Sequence, residues 1–307
     1  MDRLNAMQVF VRVAELGSFA AVAQQQGVAR SVVTRQVAAL EEHLGVRLME
    51  RSTRRLTLTS AGAAYLEKCR VILNLVEVAE TGVAEDRQAP RGPVRISLPL
   101  SYGLQRMVPL LLDFARAHAG VTLDMDYTDR RVNLIEEGID LAIRITGELA
   151  PTDVARRLGT IRMCTIASRD YLASYGTPAH PSELSRHECL GYTTGTQQQS
   201  WTYLIDGSPR AFPIATRITA NNGEALTQAA IGGLGIALQP DFIVERYLAD
   251  GRVVKILQDF ALPELGIHAV LPSNRQVPHR VRVLTDYLAE RMREVRVNAA
   301  PDGPAEP

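Results

Sequence analysis

SFAAVAQQQGVARSVVTRQVAALEEHLGVRLMERSTRRLTLTSAG, residues 18–62, decides the architecture of the N-terminal part of this chain. Ser18 stands where an N-cap opens a short helix, with Phe19, Val22 and Ala23 turned inward and Gly27 as its stop. A second helix follows almost at once. In it Val33, Val37, Leu40 and Leu44 recur at spacings of four, three and four, which at 100° per residue is a single narrow stripe and the expected buried face. The opposite face carries Ser31, Thr34, Arg35 and Ala38, with Arg30 and Gln36 on its flanks and Glu42 at its far end. Upstream, Leu4, Met7, Phe10, Val11 and Ala14 predict a preceding helix that ends near Gly17.

The helix, glycine turn and helix match a helix-turn-helix, whose second helix reads the major groove chiefly with its N-terminal residues. Arginine can bridge guanine O6 and N7, and glutamine adenine N6 and N7, so the exposed face has suitable chemistry. An ordinary surface helix of a bundle is the alternative. Against it, RSTRRLTLT (residues 51–59) alternates polar and apolar residues like a short β-wing lying beside phosphates. Residues 1–60 hold eight arginines and five acidic residues, so positive charge gathers here although the whole chain has a net charge of zero. Arg47, Arg51, Arg54 and Arg55 are dense enough for a phosphate-contacting surface, and equally for a solvated charged turn. The candidate DNA-binding set is Ser18, Arg30, Ser31, Thr34, Arg35, Gln36, Arg51, Thr53, Arg54 and Arg55.

At this point the chain resembles the LysR-type transcriptional regulators, and within them the subgroup with a CrgA-like effector domain. The quoted stretch follows the family signature nearly position by position, departing at Ala29, where the family usually has Ser or Thr and a side-chain cap. The resemblance continues through RISLPLSYG, DLAIRIT and NNGEALTQAAIGGLGIALQP and covers roughly residues 1–295. It implies a winged helix-turn-helix, a long linker helix, and an α/β effector domain of two lobes similar to periplasmic solute-binding proteins. It also implies a homodimer or homotetramer on a pseudo-palindromic site of double-stranded DNA, with RNA polymerase as a candidate partner.

Beyond the wing, Tyr65, Cys69, Ile72, Val76, Ala79 and Val83 alternate spacings of four and three, an a/d seam over about three heptads. A helix over residues 62–86 would be a rod on the order of 40 Å, suited to pairing with a second copy; packing on its own regulatory domain is the alternative. QAPRGP (residues 88–93) breaks the helix. From Pro93 onward, strands expected at residues 94–98, 121–127 and 141–145 alternate with helices at 107–117 and 132–138, the mark of a parallel α/β sheet. A second set has strands near 161–167, 201–204, 217–220 and 236–239, with helices at 224–231 and 241–249. The strand 266–271 and the helix 279–295 return to the first lobe. The expected units are 1–60 (DNA binding), 61–88 (linker and dimerisation), 89–93 (hinge), 94–297 (effector binding, lobes about 94–161 with 266–297, and 162–265) and 298–307 (disordered tail).

In such sheets ligands bind at the carboxyl ends of strands, where helix N-termini offer free N–H groups. That rule selects Pro99, Leu100, Ser101, Tyr102, Thr128, Arg144, Thr146, Thr193, Thr194 and Asn222, a set suited to a small polar or carboxylated effector. Ser101 and Asn222 serve equally as helix caps, Arg144 as an ion-pair member, and residues 193–196 as a plain loop. The glycines at 232–235 match no phosphate-binding pattern and predict a helix stop.

No G-x-S-x-G elbow, H-E-x-x-H, acidic metal loop or histidine cluster is present, so no catalytic residue, metal or cofactor is assigned and an enzyme is not expected. Three scattered cysteines, Cys69, Cys164 and Cys189, argue against a disulfide framework and fit a reducing cytoplasm; Cys164 and Cys189 are more plausible as buried thiols than as oxidant sensors. The chain shows neither an export signal nor a membrane-length apolar run, which separates it from a secreted solute-binding protein.

Overall fold

The structure is a computed structural model and describes residues 2–51, 56–81, 89–151, 153–193, 199–272 and 277–299. The N-terminal unit consists of α1 (Arg3–Leu16), α2 (Phe19–Gln26), α3 (Arg30–Leu44), the antiparallel pair β1 (Met49–Arg51) and β2 (Leu56–Leu58), and α4 (Ser60–Thr81). The first three helices end at Gly17, Gly27 and Gly45, all with φ between 61° and 66°, a conformation that costs a glycine little. Ser18 caps α2 by accepting from the Ala21 N–H, whereas Ala29 opens α3 with no side-chain cap.

Val9, Phe10, Val13, Val22, Val33, Val37 and Leu40 close the core of this unit. Two residues of the expected stripes lie outside it: Leu4 and Leu44 are exposed. The buried row of α1 runs instead through Ala6, Val9, Phe10 and Val13, and Leu44 falls in the last turn of α3, past the reach of α1. Glu41 ties the end of α3 to the wing, since its Oε1 accepts from the N–H groups of Leu48 at 2.8 Å and Met49 at 3.0 Å. Thr59 caps α4, donating to the Arg47 carbonyl at 2.8 Å and accepting from the Gly62 N–H at 2.9 Å.

The regulatory part begins with β3 (Gly92–Leu98), α5 (Leu100–Tyr102), a π-helical stretch (Gly103–Met107), α6 (Val108–Ala117), β4 (Val121–Tyr127), β5 (Leu141–Thr146) and β6 (Val154–Ile161). Next come β7 (Met163–Ala167), α7 (Arg169–Tyr175), β8 (Glu188–Tyr192), β9 (Ser200–Ile205), β10 (Ser208–Pro213), β11 (Ala215–Ala220), α8 (Gly223–Ile231), β12 (Ile236–Pro240), α9 (Asp241–Ala249) and β13 (Val254–Ile256). The chain then returns through β14 (Leu265–Leu271) and α10 (His279–Ala299).

Two five-stranded sheets result, ordered β4-β3-β5-β14-β6 and β11-β8-β12-β7-β13, with β9 and β10 as a separate hairpin. Both sheets are mixed and not parallel throughout. In the first, β14 runs antiparallel to β5 and β6 because it arrives from the second lobe; in the second, β7 lies antiparallel to β12 and β13.

The helix expected over residues 132–138 is absent. There the Asn133 side chain caps a single turn, accepting from the N–H groups of Ile135 at 3.2 Å and Glu136 at 3.3 Å, and Gly138 at φ 61° closes it at once, with the Ile139 N–H returning to the Leu134 carbonyl at 2.8 Å. The glycine-rich 232–235 segment ends α8, as expected.

Candidate functional site

On α3, Arg30, Ser31 and Arg35 are exposed and Thr34 and Gln36 half-buried, while Val33, Val37 and Leu40 are sealed beneath them. The face is therefore open to solvent at Arg30, Ser31 and Arg35 and partly covered at Thr34 and Gln36. Ser18 is the cap of α2. Arg51 lies in β1 paired with Leu56 of β2, and Glu41 of α3 holds the start of β1; Thr53, Arg54 and Arg55 lie outside the described residues.

The linker helix corrects part of the seam. Cys69 is fully buried in the core of its own N-terminal unit, together with Leu66, and Tyr65 packs against Phe10 with ring centroids 5.8 Å apart. Cys69 therefore serves the core of its own unit, while Tyr65, half-buried, packs on α1 with part of its surface open. Ile72 is 37% exposed, Leu75, which the spacing had not selected, is 54% exposed, and Val76 is half-buried. The side chain of Ala79 and all of Val83 lie outside the described residues.

The polar side of α4 carries a chain of charges. Glu67 meets Arg70 at 2.8 Å and Arg95 of β3 at 3.5 Å. Arg70 reaches Glu15 of α1 at 3.7 Å, Glu15 holds Arg12 at 2.9 Å, and Arg12 donates to Gln25 of α2 at 2.9 Å. In the other direction Arg95 donates to the Glu137 carbonyl at 2.9 Å, and the Glu137 carboxylate grips Arg130 in a two-pronged pair. That pair holds the Glu137 carboxyl below its ordinary range, chiefly through the Arg130 hydrogen bond.

Arg130 lines a cavity of about 460 Å³ between the two sheets. Of the expected effector contacts, Pro99, Ser101, Tyr102, Thr128, Arg144, Thr146 and Asn222 all line it. Leu100 contributes only its N–H to the neighbourhood, its side chain being exposed. Thr193 is an exposed residue outside the cavity wall, its N–H taken by the Ala220 carbonyl, and Thr194 lies outside the described residues.

Tyr102 meets Phe242 of α9 edge-on at 5.2 Å, an aromatic contact across the lobes, and Ile143, Val132 and Ile243 add apolar wall. Arg144 donates to the Val132 carbonyl at 2.8 Å and lies 3.9 Å from Asp153; burial lowers its pKa. Asp129, Asp153, Tyr192 and Phe242 escaped the reading of the sequence. Asp129 alone left a signal, because it directly follows Thr128 at the end of β4.

All three cysteines are buried, and burial pushes the thiols of Cys69, Cys164 and Cys189 up to about 11, about 11 and about 12. No group of metal-ligating side chains occurs among the described residues, and no described helix is long and apolar enough to cross a membrane.

Residues 4–63 match the bacterial regulatory helix-turn-helix proteins of the lysR family, and residues 87–293 match the LysR substrate binding domain. The HTH-type transcriptional regulator CrgA of Neisseria meningitidis serogroup C is 36% identical over 288 residues, spanning 93% of this chain and 96% of that protein. An HTH-type transcriptional regulator of Xanthomonas campestris pv. campestris is 37% identical over 295 residues, spanning 94% of this chain and 85% of that protein. The solved structure of Neisseria meningitidis CrgA superposes with a TM-score of 0.58 at 34% identity, covering 94% of this chain and 98% of the other. The full-length virulence activator AphB of Vibrio cholerae gives 0.56 at 25% identity over the same shares of the two chains.

Proposed function

The chain belongs to the LysR family of transcriptional regulators, and from that premise we propose that it binds a pseudo-palindromic promoter site as a dimer or tetramer and answers to a small molecule held between its lobes. Ser31, Thr34 and Arg35 read base edges, while Arg30, Gln36, Arg51, Thr53, Arg54 and Arg55 position the unit on phosphates and flanking bases. Ser18 joins them at the start of α2, and the exposed Ile72 and Leu75 side of α4 meets the second copy. The working units are 1–60, 61–88, the hinge 89–93 and the effector part 94–297. The protein acts in the cytoplasm without catalysis, and RNA polymerase is the partner through which occupancy becomes transcription.

The observation that carries this reading is the sealed stripe of α3 beneath an exposed face of Arg30, Ser31 and Arg35. The charge chain supplies the coupling: a ligand that moves Arg130 pulls on Glu137, Arg95 and Glu67, and through Arg70 on α1 and α2. The pairs around Glu67 are half-exposed and worth under about 1 kcal/mol each, so the connection is adjustable and not rigid.

Selection of binding sites from a random duplex library tests the proposal. The expected product is a two-half-site sequence with wild-type protein, and with Arg35→Ala the same sequence relaxed at the position that Arg35 reads. Enrichment of a lone half-site, or an unrelaxed product with Arg35→Ala, would overturn it.

A further inference from the structure

A helix start at the mouth of a cleft normally offers its first N–H groups to an anion from outside. Here the place is taken. Asp129 Oδ1 accepts from the Leu100 N–H at 2.9 Å, and its Oδ2 accepts from Asn222 Nδ2 at 3.0 Å. Leu100 follows β3 in the first lobe and Asn222 opens α8 in the second, so one carboxylate spans the cleft.

The orientation of the Asn222 amide is not free. Its Oδ1 accepts from the N–H groups of Glu224 at 3.0 Å and Ala225 at 3.3 Å, as the cap of α8. The amide NH2 must therefore face Asp129, and the buried Ser101 hydroxyl 3.4 Å away. A lone carboxylate is the natural complement of an N–H and an NH2.

Each of the three arginines that line the cavity already faces a carboxylate. Arg130, Arg131 and Arg144 line the cavity against Asp129, Glu148 and Asp153. Arg130 is held by Glu137, and Arg131 and Arg144 both face Asp153. Glu224 adds a further carboxylate near this corner, and Asp129 and Glu224 both add to the rise of the Tyr192 pKa that burial causes.

We propose that Asp129 determines the selectivity of the effector cleft: the chain's own carboxylate fills the anion-accepting corner and clasps the lobes, so the effector presents a hydrogen-bond donor there, a hydroxyl or ammonium group. This rests on the cleft being the effector site. A ligand carboxylate at that corner meets Asp129 as a like charge, whereas a hydroxyl or ammonium group gains an acceptor. The remainder of the ligand lies along Ile143 and Phe242, with any acceptor group directed to the Arg144 end.

Acetate tests the assignment without knowledge of the effector, since it is the side chain of Asp129 cut free. Full-length wild type, Asp129→Ala and Asp129→Asn are melted in acetate series balanced with chloride to constant ionic strength. Asp129→Ala is expected to gain stability at an acetate concentration at least roughly tenfold below that needed by wild type, as selective binding to the folded state requires. Asp129→Asn keeps the shape but sets its NH2 against one of the two donors, the Leu100 N–H or the Asn222 NH2, so it should melt below wild type and respond weakly to acetate.

Equal acetate responses in wild type and Asp129→Ala overturn the proposal, as does a folded Asp129→Ala that acetate leaves unchanged. If the alanine variant does not fold, Asp129→Asn melting at the wild-type temperature overturns it. DNA-site selection is unaffected by any of these results, so failure here and failure of the regulatory reading are separable.

Discussion

Replacing Gly62 by alanine pits helix propensity against packing at the junction between wing and linker helix. In an exposed helix the change stabilises by about 1 kcal/mol. At Gly62, however, an added Cβ would fall 1.9 Å from the Leu48 carbonyl oxygen and 2.8 Å from its carbon. A tolerable carbon–oxygen contact begins at about 3.3 Å, so helix and wing would have to part by about 1.4 Å. Leu48 is backbone at the contact, held by Glu41 on its N–H and by the Thr59 N–H, 3.0 Å from its carbonyl.

Overpacking of this kind costs up to about 3 kcal/mol, and loss of the Thr59 bond adds about 1. After the propensity gain the net cost is about 3 kcal/mol, which for a unit of this size lowers the melting temperature by more than about 10 °C. Thermal denaturation followed by circular dichroism measures it. Ala63→Gly, at an exposed position of the same helix, serves as the propensity control and should cost only about 1 kcal/mol. A Gly62→Ala protein that melts at or above wild type would mean that α4 does not rest on the wing, and the reasoning would fail.

Arg35→Ala should weaken binding to the selected site by about 1–3 kcal/mol while leaving binding to random duplex nearly unchanged; an equal loss on both, seen by gel shift, would make Arg35 a phosphate contact. Native protein should react with a thiol reagent such as DTNB at none of its three cysteines on a minutes scale, and at all three in denaturant; a fast native thiol would contradict their burial. His187, packed at 3.2 Å from the Tyr171 hydroxyl, and His268 have pKa values lowered chiefly by burial. A lowered folded value means the unfolded chain binds protons first, so stability should be full above about pH 6.5 and fall below it. His187→Gln should flatten part of that decline in melting temperature between pH 7 and 5, and an unchanged slope would count against His187.

The helical units were legible because each carries its own punctuation. Gly17, Gly27 and Gly45 close helices whose apolar spacing lies within the same few residues, so no distant partner is needed to see them. The misreadings have the opposite character. Residues 132–138 look helical, but the turn that Asn133 opens is closed at once by Gly138, and β6 was missed because Arg156 and Arg157 give it the polarity of an edge strand. Cys69 fits a heptad seam on paper, but whether a seam faces a second copy or α1 depends on how the helix is docked. Seven residues of the cavity wall could be named from strand ends, since the carboxyl-end rule is local. Asp129 could not be assigned a role that way, because its partner Asn222 is 93 residues away in the chain.

The chain of charges from Gln25 through Arg12, Glu15, Arg70 and Glu67 to Arg95 gives dissolved salt two places to act. Added ions compete for DNA phosphates, and the slope of affinity against salt is ordinarily taken as a tally of released counterions. The same ions screen the half-exposed intramolecular pairs, so the posture of the DNA-binding unit relaxes as its grip weakens. The measured slope therefore overcounts phosphate contacts. Neutralising Glu67, which pairs with Arg70 and Arg95 within the chain, should make it shallower.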